Sequence, residues 1–261
     1  MEQEFDFTYV LQFIPKILST LGTTLTIVGG SLVLGLAAGL LAALPRLYKI
    51  PFLRRVSQVY VSFFRGTPIL IQLFLLYYGL PELLKQADID LSKTPVLVFV
   101  ILTYGLHVSA YVSEMIRASV ESVDRGQVEA AYSVGMNGVQ AFTRIVLPQA
   151  LAIAVPVFAN LLLALLKDTS LAFTLGVMEM TGKASSLTTL TQHFVEAYLS
   201  LALIYLAVCL VLERLLRVLE WRLLRHEARP VPAKSFESWR TKWLPIGLPQ
   251  AFKLRSKGGD A

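Results

Sequence analysis

Ionisable side chains stand inside long apolar stretches of this sequence. They are Arg65, His107, Glu114, Asp168 and Glu196. In a bilayer such a group is costly unless it is paired or faces water, so each marks an ion pair, a helix end or the path of a polar solute. Catalysis by a metal or by paired acids would need clustered ligands, whereas the histidines, at 107, 193 and 226, lie on different segments. The pattern therefore argues against an enzyme and directs attention to the helices that hold these groups.

The composition requires lipid around those helices. Of the 261 residues, 55% are hydrophobic and only 16% are charged, and the formal net charge is +6. A soluble globule does not need so much apolar surface. The single cysteine, Cys209, rules out a disulfide within the chain. The first residues, MEQEFDFTYV, lack the basic start of a cleaved signal, so we expect the first apolar segment to be a retained span.

Five apolar stretches are long enough to cross a hydrocarbon core of about 30 Å at about 1.5 Å per residue. They cover residues 17–44, 56–81, 94–113, 145–166 and 190–212. The apolar segment 169–182 is too short to cross, which favours a re-entrant or gating piece. The predicted fold is therefore all-α, with five transmembrane helices.

Basic residues set the expected orientation, because loops rich in lysine and arginine stay in the cytoplasm. The loop 45–55 carries four, the connection 114–144 carries three, and the chain from Arg214 onward carries eleven. We therefore expect the N-terminus outside and the C-terminus inside. Three parts follow, namely an extracytoplasmic segment 1–16, a transmembrane domain 17–225 and a basic cytoplasmic tail 226–261.

The longest cytoplasmic connection between two predicted spans mixes charges with small residues. It reads ESVDRGQVEAAYSVGMNGVQAFTR over 121–144 and leads through IVLPQA into the fourth span. Gly135 and Gly138 discourage one continuous helix. Two short helices joined by a glycine-containing turn are therefore predicted, and a helix pair so exposed is expected to meet a partner.

This connection resembles the EAA loop of ABC importer permeases. Glu129-Ala130-Ala131, then Gly135, then Ile145-x-Leu147-Pro148 reproduce that family's pattern and spacing without a mismatch. The resemblance implies that the loop 121–148 docks into a cleft of a separate ATPase subunit. The residues expected at that contact are Glu129, Ala130, Ala131, Gly135 and Gly138. Small side chains would let the backbone sit deep in the partner's groove, and the Glu129 carboxylate would pair with a basic group at its rim.

The second predicted span resembles the polar-amino-acid branch of the same family. It carries SFFRGTPILIQLFLLYYGLP, and the segments around Tyr111 and 167–171 are also similar. The resemblance covers roughly residues 15–225 and implies the core fold of a type I importer permease in the bacterial cytoplasmic membrane. It also implies a polar amino acid as substrate, with cystine as the first choice. The implied partners are ABC ATPase subunits, a second permease subunit (identical or paralogous), an extracytoplasmic substrate-binding protein and membrane lipid, but no nucleic acid.

The sequence contains no G-x-x-x-x-G-K-[ST] phosphate loop, so ATP and Mg²⁺ are expected on the partner ATPase and no cofactor is expected in this chain. A self-sufficient secondary transporter of a small polar solute is the alternative. It would ordinarily need more spans, often as inverted repeats, and the sequence shows no internal repeat.

Candidates for contact with the substrate are Arg65, His107, Ser109, Asp168, Thr169 and Glu196. Arg65 precedes the helix-breaking triplet 66–68, and it either donates to the carbonyls freed there or acts as a gate or pairing element. Asp168, with Thr169 beside it, either binds the ammonium group of the substrate or forms an interfacial turn with Lys167.

The remaining candidates have structural alternatives. His107 and Ser109 are polar positions in the third span, where a lone histidine is more often a packing residue. Glu196 lies early in the fifth span and either lines the path or marks the outer interface. Glu114 and Arg117 are spaced i, i+3, which predicts an ion pair rather than a transport role.

Overall fold

The computed structural model describes residues 5–224, and every regular element in that range is helical. This confirms the predicted all-α class. The helices are α1 (Phe7–Leu18), α2 (Leu21–Leu47), α3 (Pro51–Gly66), α4 (Ile69–Phe74), α5 (Leu80–Lys85), α6 (Val96–Glu121), α7 (Arg125–Ser133), α8 (Gly138–Ala141), α9 (Leu147–Asp168), α10 (Met180–Thr191) and α11 (Phe194–Leu224). π-Helical turns join α4 to α5 and α8 to α9, and a 3₁₀ segment follows α9. The predicted tail 226–261 lies outside the described residues.

Four helical segments of the described chain are long and apolar enough to cross a membrane. They are Leu21–Leu47, Val96–Glu121, Gly138–Leu175 and Phe194–Leu223. A fifth crossing results if α3 and the segment Ile69–Lys85, which meet at a bend of 112°, form one broken span. The five predicted stretches correspond to these five segments.

The first span begins later than predicted. α1 ends at Leu18 and α2 begins at Leu21, so a turn divides the stretch 17–44 that was expected to be continuous. In that turn the hydroxyls of Ser19 and Thr20 donate to nearby carbonyls, which competes with helical bonding. The expected N-terminal segment 1–16 therefore contains most of a helix.

α1 packs against α10 and the start of α11. Its apolar residues Val10, Phe13 and Ile17, spaced along one face, are fully buried. Two side chains of α11 fasten it, because Glu196 Oε1 accepts the Asp6 N–H at 3.0 Å and Ser200 Oγ donates to the Val10 carbonyl at 3.0 Å.

The predicted re-entrant segment 169–182 is longer than expected. It consists of the 3₁₀ segment, a connection with Gly176 at φ 83°, and the start of α10. α10 has 12 residues, too few to cross the membrane, and it carries the non-spanning segment to Thr191.

α2 and α6 approach each other closely because glycines lie at their contact. A Cβ atom on Gly35 would lie 2.5 Å from Val108, and one on Gly39 would lie 2.7 Å from Val112 and 2.9 Å from the Ser109 carbonyl. Small residues at helix contacts in membranes allow this kind of packing. The central hydrophobic core is built around this helix pair and α9.

We expect Gly39→Ala to destabilise the protein, because the added methyl group would meet backbone as well as the Val112 side chain. The overpacking should cost about 1–3 kcal/mol and outweigh the roughly 1 kcal/mol that alanine gains over glycine in a helix. Thermal unfolding of the purified protein in detergent measures the change. Gly29→Ala is the matched control, since a Cβ there meets nothing within 4 Å. Equal shifts in the two midpoints would contradict the packing argument.

Candidate functional site

The break between α3 and α4 exposes carbonyls that the buried amide of Gln72 satisfies. Thr67 and Pro68 are extended, and the two helices meet at 112°. Gln72, only 1% exposed, places its Nε2 atom 2.8 Å from the Phe64 carbonyl, 3.0 Å from the Thr67 carbonyl and 2.8 Å from Thr67 Oγ1. The sequence predicted the break and offered Arg65 either as donor to these carbonyls or as a gate or pairing element. The structure gives the donor role to Gln72 and places Arg65 3.9 Å from Glu114. The sequence feature that could have indicated this role was the lone amide of Gln72 in an otherwise apolar run.

Gln72 also orients His107. The Nδ1 atom of His107 lies 2.9 Å from Gln72 Oε1. Because the amide nitrogen of Gln72 faces carbonyls, its oxygen must accept, so His107 carries its proton on Nδ1 and presents Nε2 as an acceptor. The ring lies 5.0 Å from that of Tyr111, centroid to centroid. His107 is therefore a packing residue and also a half-buried polar group. Its Nδ1 atom is bonded to Gln72, and its Nε2 atom is not.

Three arginines from three helices converge on Glu114. Arg46 of α2 lies 2.6 Å from Glu114 Oε2, Arg65 of α3 lies 3.9 Å from the same atom, and Arg117 of α6 forms a short hydrogen bond to Oε1. The predicted ion pair between Glu114 and Arg117 is confirmed. Arg65 is the most loosely held, since its side chain is 43% exposed and its guanidinium lies 5.5 Å from the Tyr111 ring centroid.

These residues form a polar stripe along α6, which we call the α6 stripe and define as Tyr104, His107, Tyr111 and Glu114. The spacing i, i+3, i+7, i+10 puts them on one face of the helix. The stripe is about 15 Å long at about 1.5 Å per residue, roughly half the hydrocarbon thickness. Each member contacts a different element, and together they link α2, α3, α4 and α9 to α6.

Asp168 lies at the far end of the stripe from Glu114. Its carbonyl accepts the Tyr104 hydroxyl at 2.5 Å, and its side chain is half-buried. Within residues 5–224 the carboxylate has no hydrogen-bond or ion-pair partner, although the positive charge of Lys167 is near enough to interact with it electrostatically. The neighbouring Thr169 is fully buried and its hydroxyl donates to the Leu166 carbonyl.

Ser109 and Glu196 lie away from the α6 stripe and make bonds inside the chain. Ser109 is fully buried, donates to the Leu106 carbonyl and has a short hydrogen bond with Tyr60 of α3. Glu196 is 3% exposed and accepts from Asp6 and from His193 Nδ1. The structure therefore brings Arg65, His107 and Asp168 to one stripe and places Ser109, Thr169 and Glu196 in packing contacts.

Glu179 is a buried carboxylate that sequence reasoning missed. It is fully buried, and its Oε1 atom accepts the Gly182 N–H at 2.8 Å, which caps α10. Tyr205 of α11 lies 3.5 Å from the other oxygen. Burial raises the pKa of Glu179, and the backbone donors of Thr181 and Gly182 oppose that shift. A glutamate three residues before the glycine of MTG was the available signal for the cap.

The cytoplasmic connection forms the predicted pair of short helices, α7 and α8. Asp124 caps α7, Asn137 and Gln140 form a capping box on α8, and Gly135 makes the turn at φ 82°. Of the residues expected to meet a partner, Ala131 is only 4% exposed and faces the chain's own packing, while the others are exposed. Three exposed apolar side chains of this pair were not anticipated, namely Tyr132 (53%), Val134 (76%) and Val139 (73%).

Comparison with known proteins adds a family match and close relatives. Residues 35–225 match the family described as the inner membrane component of binding-protein-dependent transport systems. The chain is 46% identical to the L-cystine transport system permease protein TcyL of Bacillus subtilis, over 88% of this chain and 97% of that protein. It is 44% identical to the probable amino-acid ABC transporter permease protein PatM of Vibrio harveyi, over 80% of this chain and 92% of that protein. A crystal structure of an amino acid ABC transporter aligns with a TM-score of 0.75 at 31% identity, over 84% of this chain and 100% of that one.

We expect Glu114→Gln to lower the free energy of unfolding by about 1–3 kcal/mol, because a neutral amide leaves the largely buried Arg46 without a carboxylate and removes one of the two that bind Arg117. Unfolding in detergent, followed by intrinsic fluorescence, measures the loss. Glu213→Gln is the control, since the pair of Glu213 with Arg217 has the same chemistry on an exposed face and should change stability by less than about 1 kcal/mol. A loss no larger than the control's would show that the three arginines do not depend on Glu114.

Proposed function

Because the chain belongs to the family of inner membrane components of binding-protein-dependent transport systems, we propose that it is the permease subunit of an ABC importer for a polar amino acid, with cystine as the first candidate. The cystine assignment rests on the 46% identity to the Bacillus subtilis permease over nearly its whole length. The observation that carries the transport role is the α6 stripe, a run of polar side chains about 15 Å long on a membrane-spanning helix.

A separate ATPase supplies the energy, and α7 and α8 are its docking surface. The exposed Tyr132, Val134 and Val139 provide apolar contact area, and Glu129 supplies a charge without an ion-pair partner among residues 5–224. Ala131, which is buried, lets α7 pack against α8 and the π-helical turn Phe142–Val146 rather than contacting the partner. ATP and Mg²⁺ belong to that ATPase.

Two permease subunits, identical or paralogous, enclose the path between them, and an extracytoplasmic binding protein delivers the amino acid. Arg65, His107 and Tyr111 are incompletely covered within one chain, which supports a place for them at the path. The N-terminus is outside and the C-terminus inside, in keeping with the basic residues of the loops.

The charges beside the stripe suit a zwitterionic substrate. Arg65 offers a cation for a carboxylate, and Asp168, which has no ion-pair partner among residues 5–224, offers an anion for an ammonium group. They contact the stripe at Tyr111 and Tyr104, which are about 10 Å apart along the α6 axis at about 1.5 Å per residue. Cystine, which carries an ammonium group and a carboxylate at each end, offers partners for both side chains.

We expect Asp168→Asn to raise the apparent KM for cystine uptake about tenfold or more, because a hydrogen bond to a charged group contributes about 1.5–3 kcal/mol. Uptake by proteoliposomes that contain the permease, its ATPase and its binding protein measures this. Asp90→Asn is the control, since Asp90 is exposed in the loop after α5 and its carboxylate accepts the Ser92 N–H. Unchanged uptake in the Asp168 variant would remove this residue from the site.

We expect Val134→Asp to abolish co-purification of the ATPase and its stimulation by the permease, because a charge replaces an exposed apolar contact on the α7–α8 pair. Leu83→Asp is the control. Leu83 is 66% exposed on α5, which topology places on the other side of the membrane, and its substitution should leave ATPase binding intact. Full ATPase binding by the Val134 variant would contradict the assigned docking surface.

A further inference from the structure

Two adjoining cavities open where α2 and α6 end near the α7–α8 pair. One, of about 560 Å³, lies among the apolar side chains of the last turns of α2 and α6 and the first turns of α9, including Leu40, Leu44 and Leu151. The other, of about 990 Å³, lies toward the loop and is lined in part by Lys49 and Arg125. Leu47, Tyr48, Val120 and Phe142 line both cavities, so the two adjoin along these side chains.

The wall of the apolar cavity contains an unpartnered polar group. Ser119 is 2% exposed, and its hydroxyl has no hydrogen-bond partner among the described residues. A serine in a helix usually bonds a carbonyl one turn back, and a buried hydroxyl without a partner is destabilising. Ser119 lines the apolar cavity and precedes Val120, which lines both cavities, and Glu121, which lines the basic one.

The basic cavity has an excess of positive charge. Lys49 and Arg125 have no ion-pair partner within residues 5–224, while the one acidic residue among its lining side chains, Glu121, is bound by Arg117. Both cations stand just beyond the ends of membrane-spanning helices, where the headgroups of a bilayer lie.

We propose that these cavities form one binding site for an anionic glycerophospholipid of the cytoplasmic leaflet. An acyl chain occupies the apolar cavity, the phosphate lies between Lys49 and Arg125, and an ester carbonyl at the junction accepts the Ser119 hydroxyl. The distance suits this molecule, since Leu40 and Leu47 are about 10 Å apart along α2 at about 1.5 Å per residue, and Lys49 lies two residues beyond the end of that helix. The order of chemistry along the site, from apolar to hydroxyl to cationic, matches the order along such a lipid.

The site joins the α7–α8 pair to the spanning helices, since α2, α6, α7, α8 and α9 all contribute to its lining. A lipid there would be a structural ligand at the base of the docking surface. The inference concerns a property of this chain alone and does not depend on the proposed substrate or ATPase.

The test is retention of lipid by the full-length chain, purified from nanodiscs of phosphatidylcholine with or without phosphatidylglycerol and analysed by native mass spectrometry. We expect phosphatidylglycerol to remain bound and phosphatidylcholine to be lost. The double variant Lys49→Gln/Arg125→Gln should retain about tenfold less, because each cation near an anionic headgroup contributes to binding. Arg54→Gln/Arg55→Gln, which removes the same charge outside the cavities, should retain the wild-type amount. Equal loss from both double variants would overturn the site in favour of a diffuse surface charge.

Ser119→Ala separates an occupied site from an empty one. If the hydroxyl donates to a lipid, the variant should lose lipid retention several-fold and lower the thermal midpoint in nanodiscs with phosphatidylglycerol but not in those without it. If the midpoint rises equally in both, the hydroxyl is an unpaired group in an empty cavity and the proposal fails. Displacement of the lipid when the ATPase subunit is added would also overturn it, because the partner would then be the natural occupant.

Discussion

A membrane helix can bend by more than a right angle only if the carbonyls freed at the bend find donors within the protein, because the hydrocarbon offers none. In this chain the amide of Gln72 meets that requirement at the 112° break between α3 and α4. The same amide fixes the proton and orientation of His107 through its oxygen. The bend and the polar face of α6 are therefore one structural unit, and the geometry of the α6 stripe depends on Gln72 remaining buried.

The arginines around Glu114 are paired with it to different extents. Glu114 holds Arg46 and Arg117 closely, while Arg65 stands at 3.9 Å with nearly half of its side chain exposed. Glu114 and Glu121 supply two negative charges against three guanidinium groups, so the cluster keeps a positive excess that falls on its most exposed arginine. Arg65 thus retains capacity for an anion without the protein having to break a strong internal pair.

Sequence spacing predicted the elements better than the contacts between them. Gly135, and the proline at 68, act through backbone conformation, which is local, so the α7–α8 turn and the helix break were both foreseeable. The donor for the freed carbonyls was not, because the position of Gln72 depends on how the chain bends back. Ala131 shows the same limit, since the EAA pattern does not say which alanine faces inward. Glu196 was weighed as a path or interface residue, yet it fastens α1, a helix that the sequence analysis did not predict within the segment 1–16.

A single helical segment connects the α7–α8 pair to Asp168. From Gly138 to Leu175 the chain is helical without interruption, through the π-helical turn Phe142–Val146, α9 and the 3₁₀ segment. It runs from the base of the exposed α7–α8 pair to Asp168, whose carbonyl is held by Tyr104 of the α6 stripe.

A packed helix does not compress along its axis, so displacement at one end must appear as rotation or translation at the other. The π-helical turn, where one extra residue widens the helix, is the place in this segment at which such motion is most easily absorbed or redirected. In the proposed importer, closure of the ATPase would therefore act through α9 on the Asp168 carboxylate, which binds the ammonium group of the substrate, and the stripe would be the fixed surface against which that helix moves.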